Sequence, residues 1–286
     1  MREKREVDEA KEVKEVDEKS GGVAAFFDLD GTLLGPPSME KRFYSLLRYR
    51  RVIGIRNGWW WMAESARLAP RGINQILHAN KMYLRGVCVS EQSPANTAPF
   101  LAEAMERVAW HVQGGHSIVI VSGTLEALAE KAARGLESGL LGRGWATRIG
   151  VCATRLEEAG DRWTGRIVGE AMFGEAKARA IKRIAAEMDL DLERCFAYGD
   201  SASDRWMLEA VGKPAAVNPS HDLARIARRN DWPILCWEEK KDSTQRTQST
   251  QSVRRKPERK IVARIGVAEE VNRGDLVSGV STDHLS

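Results

Sequence analysis

Short apolar runs separated by helical periodicity constrain this chain more than any other feature. VAAFFDL (23–29), SIVIVS (117–122), IGVCAT (149–154) and CFAYG (195–199) are too short for helices and lack polar alternation. That is the pattern of strands buried on both faces. AAVN (215–218) is a shorter example and PILCW (233–237) a weaker one. Between them, residues 98–112 place Leu101, Met105, Val108, Ala109 and Val112 on one helical face, and 125–136 and 176–188 repeat the pattern. Strands alternating with helices give βαβ units, hence an α/β fold with a doubly wound, mostly parallel, Rossmann-like sheet. ATRLEEAGDRWTGRIVG departs from this, and its alternation about Ala159-Gly160-Asp161 predicts an antiparallel hairpin.

The alternation fails once. After FFDLDGTLL, residues 36–95 carry helical patterns at 39–52, 59–68 and 73–84 and no clear strand. An inserted helical cap is expected there, interrupting a core of residues 23–35 plus 96–237. Gly35-Pro36-Pro37 and Ser93-Pro94 supply hinge chemistry at its two ends. Residues 1–22 alternate acid and base, with Val7, Val13 and Val16 too sparse to define a packed face. Residues 238–286 open on low-complexity polar sequence. Both read as solvated, disordered tails. The basic VRRKPERKIVAR stretch offers contact with anionic lipid or nucleic acid as the alternative.

Composition excludes several classes. A net charge of only +4 gives no reason to expect a nucleic-acid partner. Cys88, Cys152, Cys195 and Cys236 are scattered, without a CxxC pair, and read as reduced thiols. No apolar run approaches the roughly 20 residues needed to span a bilayer. The first residues are charged throughout and lack the apolar stretch of a secretory leader. A cytoplasmic protein is expected.

In an open parallel sheet, ligands bind beyond the carboxyl ends of the strands. The first strand ends in Asp28-Leu29-Asp30-Gly31-Thr32, the second in Ser122-Gly123-Thr124, the fourth in Gly199-Asp200-Ser201-Ala202-Ser203-Asp204. Asp28 and Asp30 project to one side, because side chains alternate along an extended chain. Like charges so close raise each other's pKa, and a cation resolves the conflict. Hard oxygens without His or Cys suit magnesium better than zinc. Taken singly, DxDG is also a turn with Asx hydrogen bonds and GDSASD a helix cap. Taken jointly at strand ends, they read as a site.

DLDGTL, VSG, a downstream lysine and GDSASD, in this order, resemble the haloacid dehalogenase superfamily of aspartate-nucleophile phosphohydrolases. The helical insert after the first motif resembles that superfamily's C1-cap group. RWTGRIVGE and GEAKARAI resemble its phosphoserine-phosphatase-like subfamily (IB). The resemblance covers residues 23–237. It implies that Asp28 attacks phosphorus to give an aspartyl-phosphate, while Asp30 protonates the leaving oxygen and then takes a proton from water. It implies Mg²⁺ held by Asp28, Asp200 and the Asp30 carbonyl, with Asp204 as a further ligand or orienter. Ser122 and the Gly123 N–H would bind phosphoryl oxygens, with the N–H groups of Gly31 and Thr32 as further donors. The family pattern selects Lys177 over Lys182 as the phosphate-binding lysine. A surface lysine is the alternative, at a cost in the first helical turn of roughly 0.3–1 kcal/mol.

The substrate implied is a small phosphorylated metabolite. Phosphoserine comes second, because the subfamily's acidic residue soon after the first motif is missing and Glu40 stands several residues late. A lipid or glycerol phosphate comes third. Phosphotransfer to an acceptor other than water uses the same intermediate, and a non-catalytic binding or regulatory module on the same fold is the alternative of another class. Trp59-Trp60-Trp61 cannot share one helix face. They read as cap packing, a greasy entrance for a lipid-like or aromatic substrate, or a weak membrane-surface contact. Arg42, Arg48, Arg51 and Arg56 read as a solvated basic face or as a grip on an acidic substrate group. The histidines (His78, His111, His116, His221, His284) form no ligand-spaced pair. Asn218 reads either as a brace for the Asp200 loop or as a turn residue before Pro219.

Overall fold

The computed structural model describes residues 21–91 and 99–237. The two expected tails, apart from Gly21 and Gly22, and the return hinge at Ser93-Pro94 lie outside the described residues. Among those described, eight strands form in chain order: β1 (Ala24–Phe27), β2 (Ser117–Leu125), β3 (Ile149–Thr154), β4 (Leu156–Ala159), β5 (Arg162–Ile167), β6 (Phe196–Gly199), β7 (Lys213–Val217) and β8 (Ile234–Leu235). Six of them make one parallel sheet in the order β3-β2-β1-β6-β7-β8, and β4 with β5 makes the predicted antiparallel hairpin. The doubly wound α/β reading therefore holds. The chain leaves β1 towards β2 on one side and returns to β6 on the other. The switch point between β1 and β6 is where ligands bind in such sheets.

β1 shows why its sequence has no polar alternation. Ala25 and Phe27 face a layer with Val108, Leu128, Ala132 and Leu136, while Ala24 and Phe26 face Ile181, Met207, Leu208 and Leu223. The first layer comes from α4 (Ala102–Gln113) and α5 (Glu126–Leu141). The second comes from α6 (Glu175–Glu187), α7 (Arg205–Glu209) and α8 (His221–Arg229). Both faces are covered, so every residue of β1 is buried. Gly22, one residue before the expected boundary, forms an isolated bridge with Leu190: its N–H donates to Asp189 O at 2.8 Å and its carbonyl accepts from Asp191 N at 3.0 Å.

The insert between β1 and α4 is helical, as expected: α1 (Met39–Tyr49), α2 (Ile55–Leu68) and α3 (Ile73–Ala79). Three boundaries differ from the periodicity. α1 stops at Tyr49 because Arg51 turns to φ +58°. α2 starts at Ile55, where Asn57 Oδ1 accepts from the Gly54 N–H. The third pattern breaks at Asn80, whose side chain bonds Trp61 O, Ser65 Oγ and Met82 N. The hairpin grips the end of the insert: Gly86 N donates to Trp163 O at 2.8 Å, and Trp163 N to Val87 O at 3.0 Å. β2 does not end at Ser122 but runs irregularly to Leu125, with a register shift between the two. The described cysteines are all free thiols. Among the described residues, no helix is long and apolar enough to cross a membrane.

A titratable imidazole lies inside this core. His111 is fully buried, with Nδ1 2.8 Å from His116 Nδ1 and Nε2 2.9 Å from the Tyr198 hydroxyl. Burial pushes its pKa from 6.5 down to about 3, and His116 and Arg107 add to the effect. Below pH 6.5 the unfolded chain therefore binds a proton that the folded chain refuses. Stability is expected to fall as pH drops from 6.5, by up to about 1.4 kcal/mol per pH unit. Urea unfolding at pH 7, 6 and 5 checks this: His111→Gln should flatten the slope, and an unchanged slope would assign the acid sensitivity elsewhere.

Candidate active site

The carboxyl ends of β1, β2 and β6 and the start of α6 open into one cavity of about 1550 Å³, lined among others by Asp28, Asp30, Ser122, Gly123, Lys177 and Asp200. Gly31, Thr32 and Asp204 stand behind this lining. Asp28 follows β1 directly, with its N–H donating to Tyr198 O of β6 at 2.9 Å. Its Oδ1 accepts from Lys177 Nζ at 2.6 Å, and the same ammonium donates to Asp204 Oδ1 at 2.6 Å. All three residues are almost wholly removed from solvent (5%, 3% and 1% exposed). Burial raises the Asp28 pKa against the pull of Lys177. Burial also works against the Lys177 ammonium, but Asp204 and Asp28 together hold it above the ordinary lysine range. Lys182, five residues on, is exposed.

Asp30 is held quite differently. Its Oδ1 accepts from Met39 N at 2.7 Å and its Oδ2 from Thr124 Oγ1 at 2.6 Å. Both donors are neutral. Burial raises its pKa more than these two hydrogen bonds lower it. Thr124 had no role assigned from the sequence. The signal was there, a hydroxyl two residues past Ser122, but only the continuation of β2 aims it at Asp30.

Asp204 Oδ2 accepts from the N–H groups of Asp200 (3.2 Å) and Ser201 (2.9 Å) and from Ser201 Oγ (2.8 Å). This is a capping box at the start of the helical turn after β6. The cap and site readings of GDSASD are thus one structure. Gly31 has φ +94°, and a β-carbon there would collide with the Asp200 carboxylate, so only glycine fits. Its N–H donates to Leu34 O at 2.8 Å and so is engaged within the loop. Thr32 is buried, and its hydroxyl has no partner among the described residues. Asn218 braces β8 rather than the Asp200 loop, exchanging two 2.8 Å hydrogen bonds with the Trp237 backbone. Ser220 N does the job instead, donating to Asp200 O at 2.7 Å.

A divalent cation fits the donor set. Asp28, Asp200 and Asp204 bring oxygen atoms within 4.8 Å of one another. Burial and the other two carboxylates raise the Asp200 pKa. Three carboxylates against the single ammonium of Lys177 leave surplus negative charge, and all the donors are hard oxygens.

The insert contributes the opposite wall. Glu40 accepts from Lys81 Nζ at 2.6 and 2.7 Å and from the Tyr83 hydroxyl. Arg48 and Arg51 line the cavity, whereas Arg42 is tied to Pro36 O and Pro37 O, and Arg56 lies over the Trp60 ring. The tryptophan run divides: Trp59 and Trp61 line the cavity, while Trp60 sits between Arg56 and Arg85, whose guanidinium carbons lie 5.3 and 4.7 Å from the ring.

This geometry agrees with comparisons to known proteins. Residues 25–209 match the model of the haloacid dehalogenase-like hydrolases. A protein of Streptomyces azureus described as an inhibition of morphological differentiation protein is 34% identical over 228 residues, 74% of this chain and 77% of the other. A phosphoserine phosphatase of Mycobacterium tuberculosis is 30% identical over 229 residues, 74% and 70% of the two chains. A crystal structure of a Bordetella pertussis protein of unknown function superposes with a TM-score of 0.57 at 25% identity, covering 76% of this chain and 99% of that one. The chain belongs to the haloacid dehalogenase-like hydrolase family, and the expected fold and enzyme class stand.

Lys177 keeps Asp28 and Asp204 from repelling each other in a buried setting. Lys177→Met is expected to lower the unfolding free energy by about 3–5 kcal/mol, since it strands two charges. Adding Asp204→Asn to that variant should recover part of the loss. Urea unfolding of the two singles and the double measures the coupling, and additive losses would remove the ion triad from the stability of the fold.

Proposed function

We propose that the protein is a Mg²⁺-dependent phosphomonoester hydrolase that works through an aspartyl-phosphate on Asp28. The observation that carries the reading is the unequal treatment of two carboxylates in one cavity. Asp28 faces the Lys177 ammonium, which favours its charged form, although burial raises its pKa to about 7. Asp30 has neutral donors and a burial that favours its proton. The partners differ as a nucleophile and a general acid require: an ammonium for one carboxylate, neutral donors for the other.

In the first step Asp28 attacks phosphorus with the oxygen not held by Lys177. The bond to the ester oxygen breaks, and Asp30 gives its proton to the departing alcohol. In the second step Asp30, now a carboxylate, takes a proton from water. That water attacks phosphorus and releases inorganic phosphate and the Asp28 carboxylate. Ser122, the Gly123 N–H and Lys177 bind the phosphoryl oxygens. Asp28, Asp200 and the Asp30 carbonyl would hold Mg²⁺, with Asp204 orienting them. When bound, the ion neutralises charge so that an anionic carboxylate can meet an anionic phosphate. Residues 36–95 act as a cap over the core of 23–35 plus 96–237, and exclude water from the reacting atoms.

Phosphoserine, named for one relative, is not the substrate the cavity favours. Glu40 is the acid placed to read an ammonium group, and Lys81 and Tyr83 already satisfy it. Turnover of p-nitrophenyl phosphate tests the reaction class. Activity should be lost in EDTA and restored by Mg²⁺. Asp28→Asn should abolish it, and Asp30→Asn should lower kcat by about 10²–10⁴-fold. Beryllofluoride should form an adduct on Asp28, seen by ¹⁹F NMR. Folded protein that shows neither turnover nor adduct would be a binding module instead.

A further inference from the structure

α2 breaks the usual rule for an amphipathic helix. Its apolar residues Ile55, Trp59 and Met62 recur at helical spacing on one face, yet they are 81%, 64% and 48% exposed. Leu68 alone in this helix is buried. The exposed face fronts the cavity that holds Asp28 and Lys177, where Tyr44 of α1 and Leu77 of α3 join it. Gly58 lies on the same face, and a β-carbon there would meet nothing within 4 Å, so the wall is open at that point. The cavity thus runs from a buried, charged end to an exposed, apolar one.

Its size fits neither serine nor glycerol. At about 1550 Å³ it exceeds the 300–1,000 Å³ usual for small-molecule sites. A small metabolite bound at Asp28 would leave Trp59, Met62 and Leu77 facing water. Arg48 and Arg51 line the same wall, and among the described residues neither is paired with a carboxylate. The apolar wall takes the hydrocarbon attached to a phosphate bound at Asp28.

We propose that the site takes single-chain amphiphilic phosphomonoesters, of the lysophospholipid kind, with phosphate at Asp28 and the apolar chain along Ile55, Trp59 and Met62 of α2. This rests on the phosphomonoesterase reading and specifies its substrate class. Each methylene that leaves water for the α2 wall adds to binding, so specificity should grow with chain length.

The test compares n-ethyl and n-dodecyl phosphate in Mg²⁺ buffer below the micelle concentration. Calorimetric titration of the matching alkylphosphonates runs beside it. In the intact protein kcat/KM for the dodecyl ester should exceed that for the ethyl ester by about 100-fold or more. In Trp59→Ser/Met62→Ser, whose altered side chains are exposed and not needed for folding, that ratio should fall by about tenfold. Equal kcat/KM for the two esters would overturn the proposal, and so would a chain-length ratio that the double variant leaves untouched. Failure of the phosphatase reading looks different. No ester would then turn over, while dodecylphosphonate would still bind more tightly than ethylphosphonate, and only in the intact protein. Equal binding of the two phosphonates would sink the chain site itself.

Discussion

The ion triad of Lys177 with Asp28 and Asp204 is the interaction on which the rest of the structure depends. It ties three elements together: the end of β1, the first turn of α6 and the turn after β6. Each group alone would be costly in this position. A lysine in the first turn of a helix opposes the macrodipole, and a carboxylate in a buried setting loses its hydration. Together they satisfy one another, and the spare oxygen of Asp204 caps the next helical turn. The carboxylates outnumber the ammonium, however. The fold therefore presents a site short of positive charge, which is the condition for recruiting a cation.

Sheet topology explains why this conflict arises at the switch point. β1 and β6 are adjacent and parallel, so the residues leaving their carboxyl ends meet over one crevice. Asp28 and Asp200 arrive there through backbone register alone. The loop after β1 must then turn away without touching Asp200, and Gly31 in a positive-φ conformation allows it. The same loop carries Asp30 to the mouth of the insert, where the N–H of Met39 at the start of α1 receives it. Core and insert share this carboxylate, so the acid–base group proposed above would be positioned by the element that covers the site.

The strands, the hairpin and the order of aspartates were legible because each rests on a local rule: a buried run, a period of two, a carboxylate at a strand end. Helix ends were read less well, since Arg51 and Asn80 stop their helices through backbone conformation and tertiary hydrogen bonds that no period announces. Partners distant in sequence were not legible at all. Thr124 meets Asp30 across a separation of 94 residues, and Lys81 meets Glu40 across 41. Of the two readings of Asn218, the turn residue fits its φ of +41°, while the brace goes to the chain after β8 and not to the Asp200 loop, a choice its sequence position cannot make. The tryptophan run illustrates the same limit. Helical spacing required the three rings to diverge. Which ring met Arg56 and Arg85, and which faced the cavity, depended on packing contributed by other segments.

An insert that leaves its apolar face open needs another source of order. Polar side chains provide it. Asn57 donates to Tyr83 O and Arg85 O, both at 3.0 Å, and so fixes the start of α2 to the segment that leads to the hairpin. Asn80 donates to Trp61 O at 2.8 Å and Ser65 Oγ at 2.9 Å, which fixes the middle of the helix. Trp60 adds cation–π contacts with two guanidinium groups, those of Arg56 and Arg85. These contacts hold α2 without burying Ile55, Trp59 and Met62. A helix packed through its apolar face would have closed the cavity, because the residues that could bury against the core are those that now line it. Holding α2 by hydrogen bonds and cation–π contacts keeps that face free, at some loss of stability that local sequence rules would not predict. In this insert, the conflict between patterning and packing marks where binding is expected.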